Sequence, residues 1–218
     1  MIWQAFGLVE KTLEYQNWGW NALTVSFWLS LAVTAVSGWG LIQQNRTLRK
    51  SRAAEAVAVP WMAYHGILYA AILVYGLTIS SLALILNGLL AVFYVPIMAG
   101  LRKFKGFTGL DNVLIAGLVV AILAMILLPY KSIFFFAFAI GGLVSATLQP
   151  LEMVRKKSAE GLSIRLIGAI LFGNAVWFVY GLSVADWVLI AVNAIAFVIF
   201  GMTAGLWLRY RRSVENLT

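Results

Sequence analysis

Polar residues along this chain fall in a few short clusters, and long apolar runs lie between them. As a helix rising ~1.5 Å per residue, about twenty apolar residues cross the roughly 30 Å hydrocarbon core of a bilayer. The pattern predicts seven such helices, over 18–42, 57–77, 80–101, 112–129, 133–153, 164–182 and 186–208. The second and third emerge from one uncharged run, Ala56 to Leu101. As a single helix it would be roughly 69 Å long, too long for one crossing. Its best turn is Gly76-Leu77-Thr78-Ile79-Ser80-Ser81. Pro129-Tyr130-Lys131-Ser132 separates spans four and five, because proline withholds a helix donor.

Polar residues inside this pattern recur. At an offset of 105 residues, Gln44 matches Gln149, Ala54-Glu55 matches Ala159-Glu160, and Tyr75-Gly76-Leu77 matches Tyr180-Gly181-Leu182. One residue later in register, Asn87 matches Asn193. Internal repeats in membrane proteins accompany a solute path along the axis between two halves. Spans one to three and five to seven form the repeats, and span four joins them. Three is odd, so directly joined trios would insert in opposite orientations; one linker helix makes them parallel. The expected division is an N-terminal extracellular segment (1–17), a first triple-helix repeat (18–101), a linker loop and helix (102–131), a second triple-helix repeat (132–208) and a cytoplasmic tail (209–218).

Charge orients the bundle. Of the 16 Lys and Arg residues, all but Lys11 and Lys131 lie in loops on one side, after spans one, three, five and seven. Positive charge marks the cytoplasmic side, so the N-terminus is expected outside and the C-terminus inside. The net charge of +8 is thereby explained without a nucleic-acid partner. With 62% hydrophobic and 11% charged residues, against about 25% charged in soluble domains, the fold class is an all-α integral membrane protein in contact with lipid. Short loops point to the plasma (inner) membrane. Residues 1–17 contain Glu10, Lys11 and Glu14 and do not read as a cleavable signal.

The chain has no cysteine and one histidine. Disulfides, thiolate metal sites and cysteine nucleophiles are ruled out. No paired carboxylates or Ser-His arrangement is visible, so no catalytic residue, metal or cofactor is expected. Span seven has no lysine, which rules out a retinal Schiff base.

The most distinctive segment follows span five: Lys157-Ser158-Ala159-Glu160-Gly161-Leu162-Ser163, with Gln149 upstream. Asn174-Ala175-Val176-Trp177-Phe178-Val179-Tyr180-Gly181-Leu182, Asp186 and Asn193 come after it. This stretch resembles the PQ-loop superfamily, in particular its SWEET and SemiSWEET members. The resemblance covers about 149–208 well and about 44–90 more weakly. It implies a transporter of small solutes and supports a stacking role for Trp177. Leu148 stands where the family has proline, Pro150 follows the glutamine, and Gln43-Gln44 replaces the first Pro-Gln pair. Pro60 and Pro96 have no matching partners, so a four-proline hinge is not expected.

Asn87 and Asn193 are the leading substrate-binding candidates. An unpartnered amide in hydrocarbon costs roughly 2–7 kcal/mol, so each faces another helix or water. Interhelical bonding is the plain alternative, but two repeat-related amides would both face the central axis. Asn174 and Trp177 share one helix face, and a Trp ring stacks well on a sugar. Its first-repeat counterpart is Ile72, so such a platform is one-sided. Trp18, Trp20, Trp61, Trp187 and Trp207 lie near span ends and fit interfacial positions. Gln44, Gln149 and Pro150 read either as helix ends near headgroups or as a gate at the inner mouth. His65 reads either as bonded to a neighbouring helix or as part of a polar pathway. Gly201-Met202-Thr203-Ala204-Gly205 fits close internal packing or a homo-oligomer face.

These features fit an alternating-access uniporter of a small neutral polar solute, most simply a sugar. The alternatives are an exporter of amino acids or other metabolites, and a non-transporting receptor on the same fold.

Overall fold

The computed structural model describes residues 10–16, 18–52, 54–183 and 187–215. A short helical turn, Leu13–Gln16, precedes the bundle. Then come α1 (Ala22–Ser51), α2 (Val59–Ile79) and α3 (Leu82–Phe104, with an irregular step between Gly88 and Ala91). They are followed by α4 (Gly109–Leu127), α5 (Lys131–Lys156), α6 (Ile164–Ser183) and α7 (Trp187–Glu215). Six stretches are long and apolar enough to cross a membrane, and the apolar part of α6, Ile164–Val179, is shorter.

Local chemistry sets the boundaries. α1 begins later than expected because Asn21 caps it, its Oδ1 accepting from Thr24 N at 2.9 Å. It also continues past 42 through Arg46, Arg49 and Lys50. Straight-chain basic residues keep most of their rotamer freedom in a helix, so a polar stretch need not end one. The turn between α2 and α3 falls at Ser80 (φ 55°) and Ser81, whose hydroxyl caps Leu84 N. At the Pro129 break, Lys131 Nζ donates to the carbonyls of Met125, Ile126 and Leu128, so the end of α4 is capped from the start of α5.

The packing repeats. α3 lies against both α1 and α2, and α7 against both α5 and α6. Each trio's first helix packs on the other trio's second helix: α1 on α6, and α5 on α2. The linker helix α4 lies mainly against α2. Gln44, near the C-terminal end of α1, bonds the loop after α5, and Gln149, near the C-terminal end of α5, bonds the loop after α1. The two first helices therefore end together, and the trios run parallel. Large apolar side chains cover the outside of the bundle, among them Val95, Val113, Val120, Leu127 and Val144, each more than half exposed. In water such a surface would aggregate; in lipid it is matched.

Glycines allow the closest helix contacts. A Cβ at Gly88 would fall 2.4 Å from Leu73 N, and one at Gly76 would fall 2.8 Å from Ile85 N. Gly141 and Gly142 also pack closely, against Tyr64 and Leu68. Among the described residues, nothing lies within 4 Å of a Cβ at Gly201 or Gly205, so these two glycines do not serve a close internal contact there. Because backbone blocks the Gly88 site, Gly88→Ala should cost about 3 kcal/mol, the upper range for overpacking. A thermal melt in lipid nanodiscs measures this, and an unchanged Tm would contradict the α2–α3 contact.

Candidate functional site

A central cavity of about 320 Å³ lies between the trios. Its walls are built largely from repeat-related positions. His65 and Ile170, Leu68 and Gly173, Tyr69 and Asn174, Ile72 and Trp177, and Asn87 and Asn193 all line it. Asn87, Asn193, Trp177, Asn174 and His65 are thus brought into one space. Both Asn87 and Asn193 are buried. Ile72, the repeat counterpart of Trp177, lines the same cavity.

The backbone at Asn87 departs from a regular helix. Leu90 N bonds Asn87 O at 3.1 Å, and Val92 and Phe93 also bond three residues back. Broken helices within a membrane are tolerated where they line a cavity. The Asn87 Oδ1 accepts from Thr34 Oγ1 at 3.4 Å, a long bond by ordinary criteria. Asn174 Nδ2 donates to Ile170 O of its own helix. His65 Nδ1 lies 3.1 Å from Trp61 O, also in its own helix. The expected bond from His65 to a neighbouring helix is therefore replaced by a local one, and its ring faces Trp61 and Phe200 edge-on. Tyr69 and Ser37 also line the cavity. The sequence reading passed over both, although Tyr69 is the repeat counterpart of Asn174. Among the described residues, no Asp, Glu, Lys or Arg lines this cavity, and no cluster of His, Asp or Glu could hold a metal ion.

Beyond Leu84, Phe135 and Trp177, which line both spaces, lies a vestibule of about 250 Å³. Glu14 stands in its wall and is buried. Its carboxylate accepts from Ser81 Oγ at 2.7 Å, Leu82 N at 2.9 Å and Ala83 N at 3.1 Å, so it caps the start of α3.

At the opposite, basic end the two halves are hydrogen-bonded to each other. Gln44 Nε2 donates to Gly161 O at 2.7 Å, and its Oε1 accepts from Ser163 N at 2.7 Å. Gln149 Nε2 donates to Ala56 O at 2.7 Å, and its Oε1 accepts from Ala58 N at 3.0 Å. Gly161 and Ser163 are the repeat counterparts of Ala56 and Ala58, so each half clamps the loop of the other by the same two bonds. Both glutamines are 0% exposed, which corrects the headgroup-facing alternative. Val57 O takes Lys105 Nζ at 2.7 Å, while its counterpart Leu162 O takes Trp207 Nε1 at 2.8 Å. Lys105 also pairs with Glu152 at 2.9 Å, and Arg165 Nη1 bonds Gln43 at 2.6 Å.

Trp61 is another correction. Its place near a span end predicted an interfacial ring, yet it is 0% exposed, packed on His65 and Phe200 beneath the cavity. Its Nε1 has no hydrogen-bond partner among the described residues. Pro150 is buried inside α5, one residue past Gln149, where it removes the donor that a regular helix would offer to the carbonyl of Ala146. Asp186 and the side chains of Tyr180 and Trp187 lie outside the described residues.

Residues 129–215 match the family model MtN3_slv, described as a sugar efflux transporter for intercellular exchange. No curated protein sequence matches the chain. Among solved structures, a eukaryotic SWEET transporter at 3.7 Å resolution superposes with a TM-score of 0.50 and 16% identity, covering 86% of this chain and 99% of that one. At that identity the likeness is one of fold. The matched family comprises transporters, not enzymes. Residues 129–215 of this integral membrane protein are thus similar in sequence to the MtN3_slv family, and the bundle as a whole is similar in fold to a eukaryotic SWEET transporter.

Proposed function

We propose that the protein carries a small neutral polar solute, most simply a sugar, across the plasma membrane by alternating access. The observation that carries this reading is the placement of Asn87 and Asn193, from equivalent helices of two parallel trios, in one cavity. An amide both donates and accepts, which suits hydroxyl groups. Trp177 supplies a ring face, and Asn174 and His65 add polar edges. With the basic end in the cytoplasm, the clamped loops form the inner gate and the vestibule leads outward. Release inward then requires the clamps to part and the trios to rock, with Pro150 as a bending point in α5 between cavity and clamp. No fixed charge lines the cavity among the described residues, so transport follows the solute gradient.

The matched family's description as sugar efflux transporters supports the solute class. Counterflow of labelled sugars in phosphatidylcholine proteoliposomes tests the reading. Uptake against preloaded unlabelled sugar, unaffected by a proton ionophore, is expected. Binding without counterflow would favour a receptor. Counterflow of amino acids alone would favour the exporter reading.

A further inference from the structure

The polar groups of the cavity are unevenly placed. α1 contributes Ser37, α2 His65 and Tyr69, α3 Asn87, α6 Asn174 and Trp177, and α7 Asn193. From α5 come Phe135, Phe136, Ala139, Gly142, Leu143 and Ala146, with no polar side chain among them. Nor is the apolar wall closed off by packing. Phe136 is 53% exposed, and Phe135 is stacked on Tyr75 at 4.4 Å and 4°, which fixes its ring in place.

A free sugar carries hydroxyls around its whole ring. Those turned toward α5 would give up water and gain no partner, which is the unfavourable side of hydrogen-bond exchange. The same wall favours apolar atoms. Volume points the same way, since about 320 Å³ falls within the ~300–1,000 Å³ range of pockets that enclose drug-sized ligands.

Resting on the sugar-transport reading, we infer that the preferred solute is a neutral glycoside: a sugar ring held by the amides, with an aryl or branched-alkyl aglycone against α5. The repeat-related walls differ at each pair except the two asparagines, so the site receives an asymmetric molecule in one orientation. Leu68 has Gly173 as its counterpart, and Ile72 has Trp177, so the two walls carry side chains of different size.

The test is ligand-induced thermal stabilisation in phosphatidylcholine nanodiscs freed of alkyl-glycoside detergent, which would itself compete. The probes are phenyl β-glucoside, methyl β-glucoside, glucose and benzyl alcohol. Phenyl β-glucoside should bind at least tenfold tighter than glucose or methyl β-glucoside, as expected for burial of one aromatic ring. Phe136→Gln, at a partly exposed position, should cut that preference at least threefold. Glucose binding as tightly as the phenyl glucoside would overturn the inference and leave sugar transport standing. Benzyl alcohol binding as tightly as the phenyl glucoside would also overturn it. If no sugar-bearing probe binds, both this inference and the transport reading fall.

Discussion

Asn193→Ala should reduce sugar counterflow roughly a hundredfold, with Tm within a few degrees of the parent. The side chain is 9% exposed and lines the central cavity. A solute hydroxyl held there exchanges water for the amide, and alanine returns neither donor nor acceptor. Two such bonds at about 1–1.5 kcal/mol each give a factor of this order. Asn87→Ala should act in the same direction. Its present bond to Thr34 is long, at 3.4 Å, so the amide exchanges that contact for a solute at little cost. Asn193→Ser, which keeps a shorter donor and acceptor, should restore part of the rate. Undiminished counterflow by both alanine variants would remove the two amides from the solute site.

Removing a glutamine clamp should open the basic end. Gln149→Ala leaves Ala56 O and Ala58 N without their partner, and Ala58 caps α2. Leaving buried polar groups unpaired costs about 1–3 kcal/mol each, so for the two groups the closed state loses about 2–6 kcal/mol. That shift changes the open population by well over tenfold. Gln44→Ala should behave alike, because its two bonds repeat those of Gln149. The chain contains no cysteine, so one introduced thiol reports cleanly. Ala146→Cys, 1% exposed in the wall nearest the clamp, should react with an impermeant thiol reagent from the basic side at least tenfold faster in either glutamine variant. Equal rates would place the gate elsewhere.

Much of this architecture was legible from residue order. Apolar run lengths located all seven helices, because lipid leaves backbone no other partner than its own helix. The recurrence of Asn87 and Asn193 picked out the cavity, since a mid-span amide is too costly to be incidental. The role of Gln44 was not legible. Its partner is the backbone of Gly161 and Ser163, and no side-chain pattern records a backbone acceptor. Trp61 was misread for a related reason: position along a helix gives depth in the bilayer, not whether the residue faces lipid or a neighbouring helix. Tyr69 escaped notice because its hydroxyl is carried on an apolar body and its repeat counterpart, Asn174, has different chemistry. The length of α1 depended on helix propensity in a stretch whose charge looked like a loop.

Glu14 ties the turn at 13–16 to the first residues of α3, the same helix that carries Asn87 one register of turns below. Under the proposed alternating-access cycle, a fluorescent or affinity fusion ahead of this turn would hang its mass on a helix that lines the cavity. Reporters intended to leave the turnover cycle undisturbed belong after α7.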